Sequence, residues 1–213
     1  SNMPLPPFSK ADVVVQMPQL YKQHSITKEQ LNEIEWENEG ILRISHPDYP
    51  GTGRTLSIFS PSFPALGSKE ERLRSWMYLM QRDEVAAVSE QGMAVFWAKL
   101  GLDKKQSERL EQAWMLRIQQ ANQLFSTYTP GWKTDRGMIY TIFGPPITVY
   151  NNGKAEEWNY PVKSGQQPLS FRFVKAASEF SNEEYLLERK PSYALYWYKA
   201  IETWRSGTPF TYE

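Results

Sequence analysis

Cysteine is absent from the 213 residues of this chain, so disulfide bonds, thiolate zinc sites and cysteine nucleophiles are excluded. A charge excess is also missing, because 24 Lys and Arg balance 24 Asp and Glu. This balance argues against nucleic acid and against an anionic membrane surface as partners. No apolar run approaches the roughly 20 residues that a transmembrane helix needs, so we expect no transmembrane segment.

Histidine is scarce, and the two present, His24 and His46, lie in the first quarter of the chain without metal-ligand spacing. No Gly-x-Ser-x-Gly elbow is present to expose a nucleophilic serine. Residues 51–54 lack the Gly-Lys-Ser/Thr ending of a phosphate loop, so we interpret them as a flexible turn. We therefore predict no metal, no cofactor and no catalytic residue, and we favour a binding role over an enzymatic one.

Aromatic residues are abundant, with 8 Trp, 12 Tyr and 10 Phe. Such rings suit a buried core, and they also suit a binding platform. We favour the core interpretation. The alternative is a groove for a glycan or a peptide, lined by Trp132, Trp158, Tyr160, Trp197 and Trp204.

The first 66 residues carry the fewest periodic patterns. Three early prolines predict an extended or mobile terminus, because proline fixes φ and lacks an N–H donor. Thr27 and Gln30 form a capping box that predicts a short helix ending near Gly40, and an extended stretch over residues 34–44 is the competing interpretation. The strand candidates are residues 13–15, 41–45 and 55–59, the last two on either side of a turn-rich insert over residues 46–53.

Residues 68–125 show the three- and four-residue apolar spacing of amphipathic helices. Ser68 and Asp103 each stand three residues before an acidic or amide side chain, which is the pattern of a capping box. We predict three helices. The first begins after Ser68, the second covers residues 83–100, and the longest begins after Asp103 and ends before Pro130.

Strand patterns follow the helices. Residues 138–143 are apolar and rich in β-branched or aromatic side chains, so they predict a buried strand that a Gly-Pro-Pro sequence ends. Asn152-Gly153 is a strong hairpin signal. A two-residue loop at that point sets Ile147 opposite Trp158 and gives the hairpin one apolar face.

The remaining patterns are a strand over residues 169–173, another over residues 185–189, and a last helix capped by Ser192. The order predicts an α+β fold, in which a helical block is followed by an antiparallel β-meander with a C-terminal helix packed on the sheet. We assign this domain to residues 67–213. Residues 1–66 form an N-terminal extension or part of an upstream domain.

A Gly-Trp-x-Thr-Asp-Arg-Gly string at residues 131–137 is the most specific sequence in the chain. On a functional interpretation, Asp135 is an acid–base group or holds a ligand. On a structural interpretation, which we favour, Asp135 caps backbone N–H groups in a turn between helix and strand, and Arg136 pairs with a carboxylate across it. The motif residues are Gly131, Trp132, Thr134, Asp135, Arg136, Gly137, Gly144, Pro145, Pro146, Trp158 and Tyr160.

These residues resemble the GWxTD-domain family of the bacterial cell envelope, over approximately residues 70–213. Members occur mostly in Bacteroidetes, often as exported proteins or lipoproteins, and the family has no established activity. The resemblance implies a location in the periplasm or at the outer membrane. Ile147 departs from the family, because an acidic residue commonly follows Gly-Pro-Pro. Ser1-Asn2 is typical of tag cleavage, so we expect a signal or a lipid-bearing cysteine to precede it in the native protein.

Our leading hypothesis is a non-catalytic exported domain that binds a protein or a cell-envelope component, with an envelope protein or a glycan as its partner. The alternative is a carbohydrate-binding or carbohydrate-processing module that uses surface aromatics. A third possibility is a structural spacer within a larger protein. A motif alone does not choose among them, since function depends on the site rather than on the fold.

Overall fold

The computed structural model describes residues 3–10, 24–28, 30, 39–161, 168–176, 178 and 180–211. A β-hairpin comes first, helices follow, and an antiparallel four-stranded sheet precedes a final helix. This order confirms the α+β prediction. The strand predicted at residues 13–15 and most of the helix predicted after Thr27 lie outside the described residues. The capping box itself is present, with the Thr27 N–H donating to Gln30 Oε1 over 2.9 Å.

The first hairpin pairs β1 (Gly40–His46) with β2 (Tyr49–Ile58) in an antiparallel two-stranded sheet, which confirms both strand predictions. The turn-rich insert between them is shorter than predicted. The interpretation of residues 51–54 as a flexible turn is wrong, because they lie inside β2, where Arg54 pairs with Ile44 on β1. The hairpin touches the rest of the fold where the Ser57 hydroxyl donates to the Thr127 carbonyl oxygen over 2.8 Å.

The helical block, within the described residues, consists of α1 (Lys69–Ser75), α2 (Arg82–Gln91), α3 (Met93–Leu100) and α4 (Lys104–Phe125). The caps predicted at Ser68 and Asp103 are confirmed, whereas the cap predicted at Ser192 is wrong, because its side chain makes no capping hydrogen bond to the last helix. Ser68 accepts the Glu71 N–H over 3.0 Å at the start of α1, and Asp103 makes reciprocal hydrogen bonds at the start of α4. The single helix predicted over residues 83–100 is two helices, because Gly92 interrupts it with a φ of 85°.

The segment after the GWxTD string contradicts the strand prediction. Residues 138–143 belong to α5 (Asp135–Phe143), a helix in which all nine residues are buried. Thr134 caps its start, and Gly144 follows its end with a φ of 85°. A helix that is covered on every side needs no polar face, so its apolar run cannot be distinguished from a buried strand by periodicity.

The second sheet has the strand order β3-β4-β5-β6, formed by β3 (Thr148–Asn151), β4 (Ala155–Tyr160), β5 (Leu169–Lys175) and β6 (Tyr185–Leu187). The predicted hairpin is present, but its register was wrong: Val149, not Ile147, pairs with Trp158. The loop is Gly153-Lys154, and the positive φ at Gly153 alone is typical of a type II′ turn. The two-residue shift keeps each side chain on its predicted face.

The last helix, α6 (Tyr193–Arg205), packs with α5 on one face of this sheet. The Tyr193 hydroxyl donates to the Ser170 carbonyl oxygen on β5 over 2.9 Å, and the rings of Phe143 and Trp197 lie 6.2 Å apart. The five rings assigned to a possible groove are each at most 4% exposed. They belong to the core, and the predicted groove is therefore wrong.

Candidate functional site

Two glycines allow close backbone contacts of the GWxTD string, Gly131 with α4 and Gly137 with Gly131 itself. A Cβ on Gly131 would collide with the carbonyl oxygen of Ala121, and a Cβ on Gly137 would collide with the carbonyl oxygen of Gly131. Thr134 links the same groups, since its hydroxyl donates to the Gly131 carbonyl oxygen over 2.7 Å and accepts the Gly137 N–H over 3.0 Å. Both glycines are therefore required by packing distance rather than by an unusual φ.

Trp132 is fully buried, and its ring lies 6.2 Å from that of Tyr78, in the short 3-10 helix that follows α1. Its backbone N–H donates to Asn122 Oδ1 over 3.2 Å, and its backbone carbonyl oxygen accepts the Tyr78 hydroxyl over 2.8 Å. Burial, and secondarily the negative charge of Asp135, raise the pKa of Tyr78 well above its ordinary value. Tyr78 is therefore a neutral hydrogen-bond donor at physiological pH.

Asp135 makes the closest charged contacts of the string. Its Oδ2 accepts the backbone N–H of Leu187 over 2.7 Å and Arg189 Nη1 over 3.1 Å, while its Oδ1 accepts Arg189 Nη2 over 2.7 Å. The Asp135 and Arg189 side chains are 3% and 5% exposed. This two-point pairing joins the start of α5 to β6, which is 52 residues away along the chain.

Arg136 makes a second connection to the same sheet. Its Nη1 donates to Glu156 Oε1 on β4 over 3.2 Å, and its Nη2 donates to the Glu183 carbonyl oxygen over 2.8 Å. The guanidinium also lies over the Tyr185 ring, 4.3 Å from the centroid. Trp158 holds the carboxylate in place by donating its indole N–H to Glu156 Oε2 over 3.1 Å.

Asp135 and Arg136 together cover the outer edge of β6. The Glu188 N–H donates to β5, so the alternation of an antiparallel pair turns the N–H and C=O of Leu187 outward. Asp135 accepts that outward N–H, and Arg136 binds the carbonyl of Glu183 just before the strand. Side chains of α5 thus bind groups at this edge that another strand would otherwise pair with.

The N-terminal segment adds to this cover. Arg189 Nη2 donates to the Leu5 carbonyl oxygen over 3.0 Å, and the Lys190 N–H donates to the Pro7 carbonyl oxygen over 3.0 Å. The ring of Phe8 lies 5.3 Å from that of Tyr198 on α6. The proline-rich residues 3–10 are therefore docked beside β6, where the terminus was predicted to be extended or mobile.

The Gly-Pro-Pro part of the motif turns the chain from α5 into β3. Tyr160 donates its hydroxyl to the Gly144 carbonyl oxygen over 2.9 Å, which joins the end of α5 to β4. Pro145 and Pro146 then lead to Ile147, whose side chain is 69% exposed. The motif residues are thus brought together around α5 but not at one pocket, because Trp132 precedes the helix, Asp135 begins it and Gly144 follows it.

The outer edge of β3 has no such cover. The Asn152 N–H donates to the Ala155 carbonyl oxygen, so the N–H and C=O of Val149 and Asn151 point away from β4. Among the described residues, neither backbone group of Val149 has a hydrogen-bond partner across this edge. The edge therefore presents an unpaired backbone donor and acceptor to solvent.

Apolar side chains are exposed along the same edge. Ile147 is 69% exposed, Val149 47% and Tyr150 66%. Ile147 and Val149 were predicted on the apolar sheet face. Val149 occupies that face, because it pairs with the buried Trp158, but it is left exposed, and Ile147 lies just before the strand. A shallow pocket of about 280 Å³ adjoins Tyr150, and its lining residues are Tyr150, Asn151, Asn152, Ala155, Glu156, Glu157 and Arg172.

Sequence reasoning missed two polar partners of the string, Asn122 and Arg189, and the buried carboxyl of Glu184. The first two bind Trp132 and Asp135 across long separations, and no local pattern identifies them. Burial raises the pKa of Glu184, whose Oε2 accepts the Thr127 hydroxyl over 3.1 Å. A carboxyl in a loop gives no sequence signal of such burial.

Two further features bear on function. The described residues contain no group of three potential metal-ligating side chains, and His46 is exposed beside Asp48. None of the helices in the described ranges combines the length and the apolar character required to cross a membrane.

Comparison with known proteins identifies the family. The family model described as GWxTD domain matches residues 40–206, so the chain belongs to this family. The match includes the β1–β2 hairpin as well as the helices and the meander. Neither a curated protein nor a solved structure matches the chain.

Proposed function

We propose that this chain, a member of the GWxTD domain family, is a non-catalytic domain of an exported protein and binds another protein of the cell envelope. A location in the periplasm or at the outer membrane is part of the proposal and rests on the envelope context of the family. The partner is a protein rather than a metal, a nucleotide or a nucleic acid.

One observation carries this proposal: exposed apolar side chains are grouped at one edge of the sheet. Ile147, Val149 and Tyr150 are close together in sequence, and each is about half exposed or more. Val174, on the outer face of β5, is 38% exposed. Single exposed apolar residues are common, whereas a group of them on one element is typical of an interaction site.

The GWxTD string supports binding over catalysis. Asp135 and Arg136 are 5% and 8% exposed, and both are bound by groups of the same chain. A catalytic acid or base needs contact with substrate and a pKa suited to proton transfer. The charged side chains of the string instead hold α5 against the sheet, which leaves ligand contacts to other surfaces.

Site-specific photocrosslinking in the native envelope tests the protein-binding function. A benzophenone amino acid replaces Tyr150 in one variant and Leu116, which is 54% exposed on α4, in the matched control. We expect a discrete crosslinked product from position 150 and none from position 116. No product at position 150, or the same products at both positions, contradicts the proposal.

A carbohydrate-binding module is the second candidate, and the pocket beside Tyr150 favours it. An exposed ring stands there with the carboxylate of Glu157 and the guanidinium of Arg172, a combination that suits stacking on a sugar and hydrogen bonding to its hydroxyls. Calorimetric titration with soluble cell-wall oligosaccharides tests this candidate, with Tyr150→Ala as the test variant and Tyr198→Ala as the control. No heat of binding up to about 1 mM ligand removes it.

A further inference from the structure

We propose that the outer edge of β3 binds an extended segment of the partner protein, which joins the four-stranded sheet as a fifth strand beside β3. This inference rests on the protein-binding function proposed above and specifies how the partner is held. It concerns the backbone of Val149 and Asn151, which the GWxTD string does not contact.

The backbone geometry identifies the kind of occupant. Val149 directs both its N–H and its C=O away from β4, and Asn151 does the same two residues later. An extended chain offers acceptors and donors at the same two-residue interval. A helix offers no such groups, because its N–H and C=O groups are already paired along its own axis.

The absence of protection at this edge distinguishes it from an edge that is merely exposed. Proteins usually guard an edge strand with lysine, proline, a bulge or a covering element. Strand β3 (Thr148–Asn151) contains no charged residue and no proline, and each of its residues pairs with one residue of β4. The irregularity lies before the strand, where the Ile147 N–H donates to the carbonyl oxygen of Asn159, the partner of Thr148. An unguarded apolar edge favours strand addition.

The side chains at the β3 edge indicate which residues the partner segment contains. The β3 edge is uncharged and apolar, so it fits a segment with apolar or uncharged residues at alternate positions. Lys154 is exposed at the hairpin end of β3 and provides a cation for an acidic residue at that end of the segment. A second copy of this chain lacks that acid, because residues 147–154 contain no carboxylate. The observations therefore favour a segment of a different protein.

Two substitutions at Val149 separate backbone pairing from side-chain contact. Val149→Pro removes the outward N–H and places the proline ring at the edge, while the hydrogen bonds to β4 stay intact because they use neighbouring residues. Val149→Ala shortens the side chain to a similar extent but keeps the N–H. Thermal melting and an amide NMR spectrum establish that both variants retain the fold.

The probe is a 12-residue peptide selected from a displayed random library against the wild-type domain. Fluorescence anisotropy measures its affinity for the wild type and for both variants. We expect Val149→Pro to weaken binding by about 10-fold or more and Val149→Ala by less than about 3-fold, since only proline removes a backbone donor. N-methylation of alternate residues in the peptide should cause a loss similar to that of Val149→Pro.

Several outcomes overturn the inference. The first two are an equal loss of peptide affinity in both Val149 variants and full peptide affinity of Val149→Pro. The third is a library that yields no extended binder. The fourth is a wild-type dimer in solution that Val149→Pro dissociates. The last outcome assigns the edge to a second copy. If Val149→Pro leaves the photocrosslinked product at position 150 unchanged, protein binding stands and strand addition fails.

Discussion

The two edges of the four-stranded sheet differ in how their outward backbone groups are treated. At β6, the Leu187 N–H has a buried carboxylate as its partner, and the N-terminal segment lies alongside. At β3, the same kind of group on Val149 faces solvent beside exposed apolar side chains. The edges lie on one sheet, so their difference reflects what surrounds each one rather than how the strands are built.

This difference explains what the GWxTD string does in the fold. Asp135 and Arg136 act as side-chain substitutes for a neighbouring strand, because one accepts an outward N–H and the other donates to an outward carbonyl. Gly131 allows the segment before α5 to lie against α4, and Gly137 allows α5 to pack on Gly131, which together hold those side chains in position. The most recognisable residues of the chain thus close one edge, and the functional surface that we propose lies at the other.

Asp135→Ala should have the largest effect on stability. It leaves the Arg189 guanidinium and the Leu187 N–H without their buried partner, and removing one member of a buried ion pair costs about 3–5 kcal/mol. Urea unfolding measures the loss. The double variant Asp135→Ala/Arg189→Met should recover part of it, since no unpaired charge remains. An unchanged urea midpoint for Asp135→Ala contradicts the conclusion that the Asp135 side chain closes the β6 edge.

Gly137→Ala should rank second, with a loss of about 1–3 kcal/mol or more from the forced separation of α5 and Gly131. Alanine ordinarily stabilises a helix interior by about 1 kcal/mol relative to glycine, so a loss here reports the backbone contact alone. Thermal unfolding of the purified variant provides the measurement. A gain in melting temperature would show that the contact is loose.

Glu184→Gln should give a smaller effect of opposite sign. Burial raises the pKa of Glu184 above its ordinary 4.5, so ionisation costs the folded state more than the unfolded chain as pH rises through the folded-state value. Glutamine removes this cost and can still accept the Thr127 hydroxyl. We expect the Glu184→Gln variant to be more stable than wild type at pH 7. The difference should be smaller at about pH 3.5, where the Glu184 carboxyl is mostly protonated in both the folded and the unfolded chain.

The control for this comparison is Glu183→Gln, because Glu183 is the exposed neighbour of Glu184. Chemical unfolding of both variants across that pH range should show the gain at neutral pH for position 184 alone. The same gain at both positions indicates a general charge effect rather than burial of one carboxyl.

Ile147→Ser should have the smallest effect on the fold. The side chain is 69% exposed, and substitutions at such positions usually change stability by less than about 0.5 kcal/mol. The affinity of the Ile147→Ser variant for the selected peptide should nevertheless fall. A substitution at the β3 edge would then affect binding and not stability, whereas substitutions that open the β6 edge affect stability. A stability loss as large as that of Gly137→Ala would mean that Ile147 is part of the core.

Some elements were predictable because their signals are local. The cap at Ser68, the capping box at Asp103 and the apolar spacing of α4 depend only on neighbouring residues. The existence of the hairpin at Gly153 was predictable, but the pairing register of its two strands was not, because glycine can occupy either central position of a primed turn. The helix α5 was missed because complete burial removes the polar face that identifies a helix.

The partners of the GWxTD string show the same limit. The pairing of Arg136 with a carboxylate was predicted in kind, but neither Glu156 nor the Asp135–Arg189 pair was identified. Asp135 was expected to cap a local turn, whereas Thr134 caps the helix and Asp135 binds a strand 52 residues away. Sequence spacing contains no information about which distant backbone group a buried carboxylate meets.

The amino-acid sequence by itself determined the family, the α+β order and the caps of α1 and α4, because each depends on residues that are close together along the chain. Only the tertiary structure decided that α5 is a helix, that the aromatic rings are buried, and that one edge of the sheet is closed while the other is open. The physical reason is that burial and edge pairing depend on groups that folding brings together from distant parts of the chain.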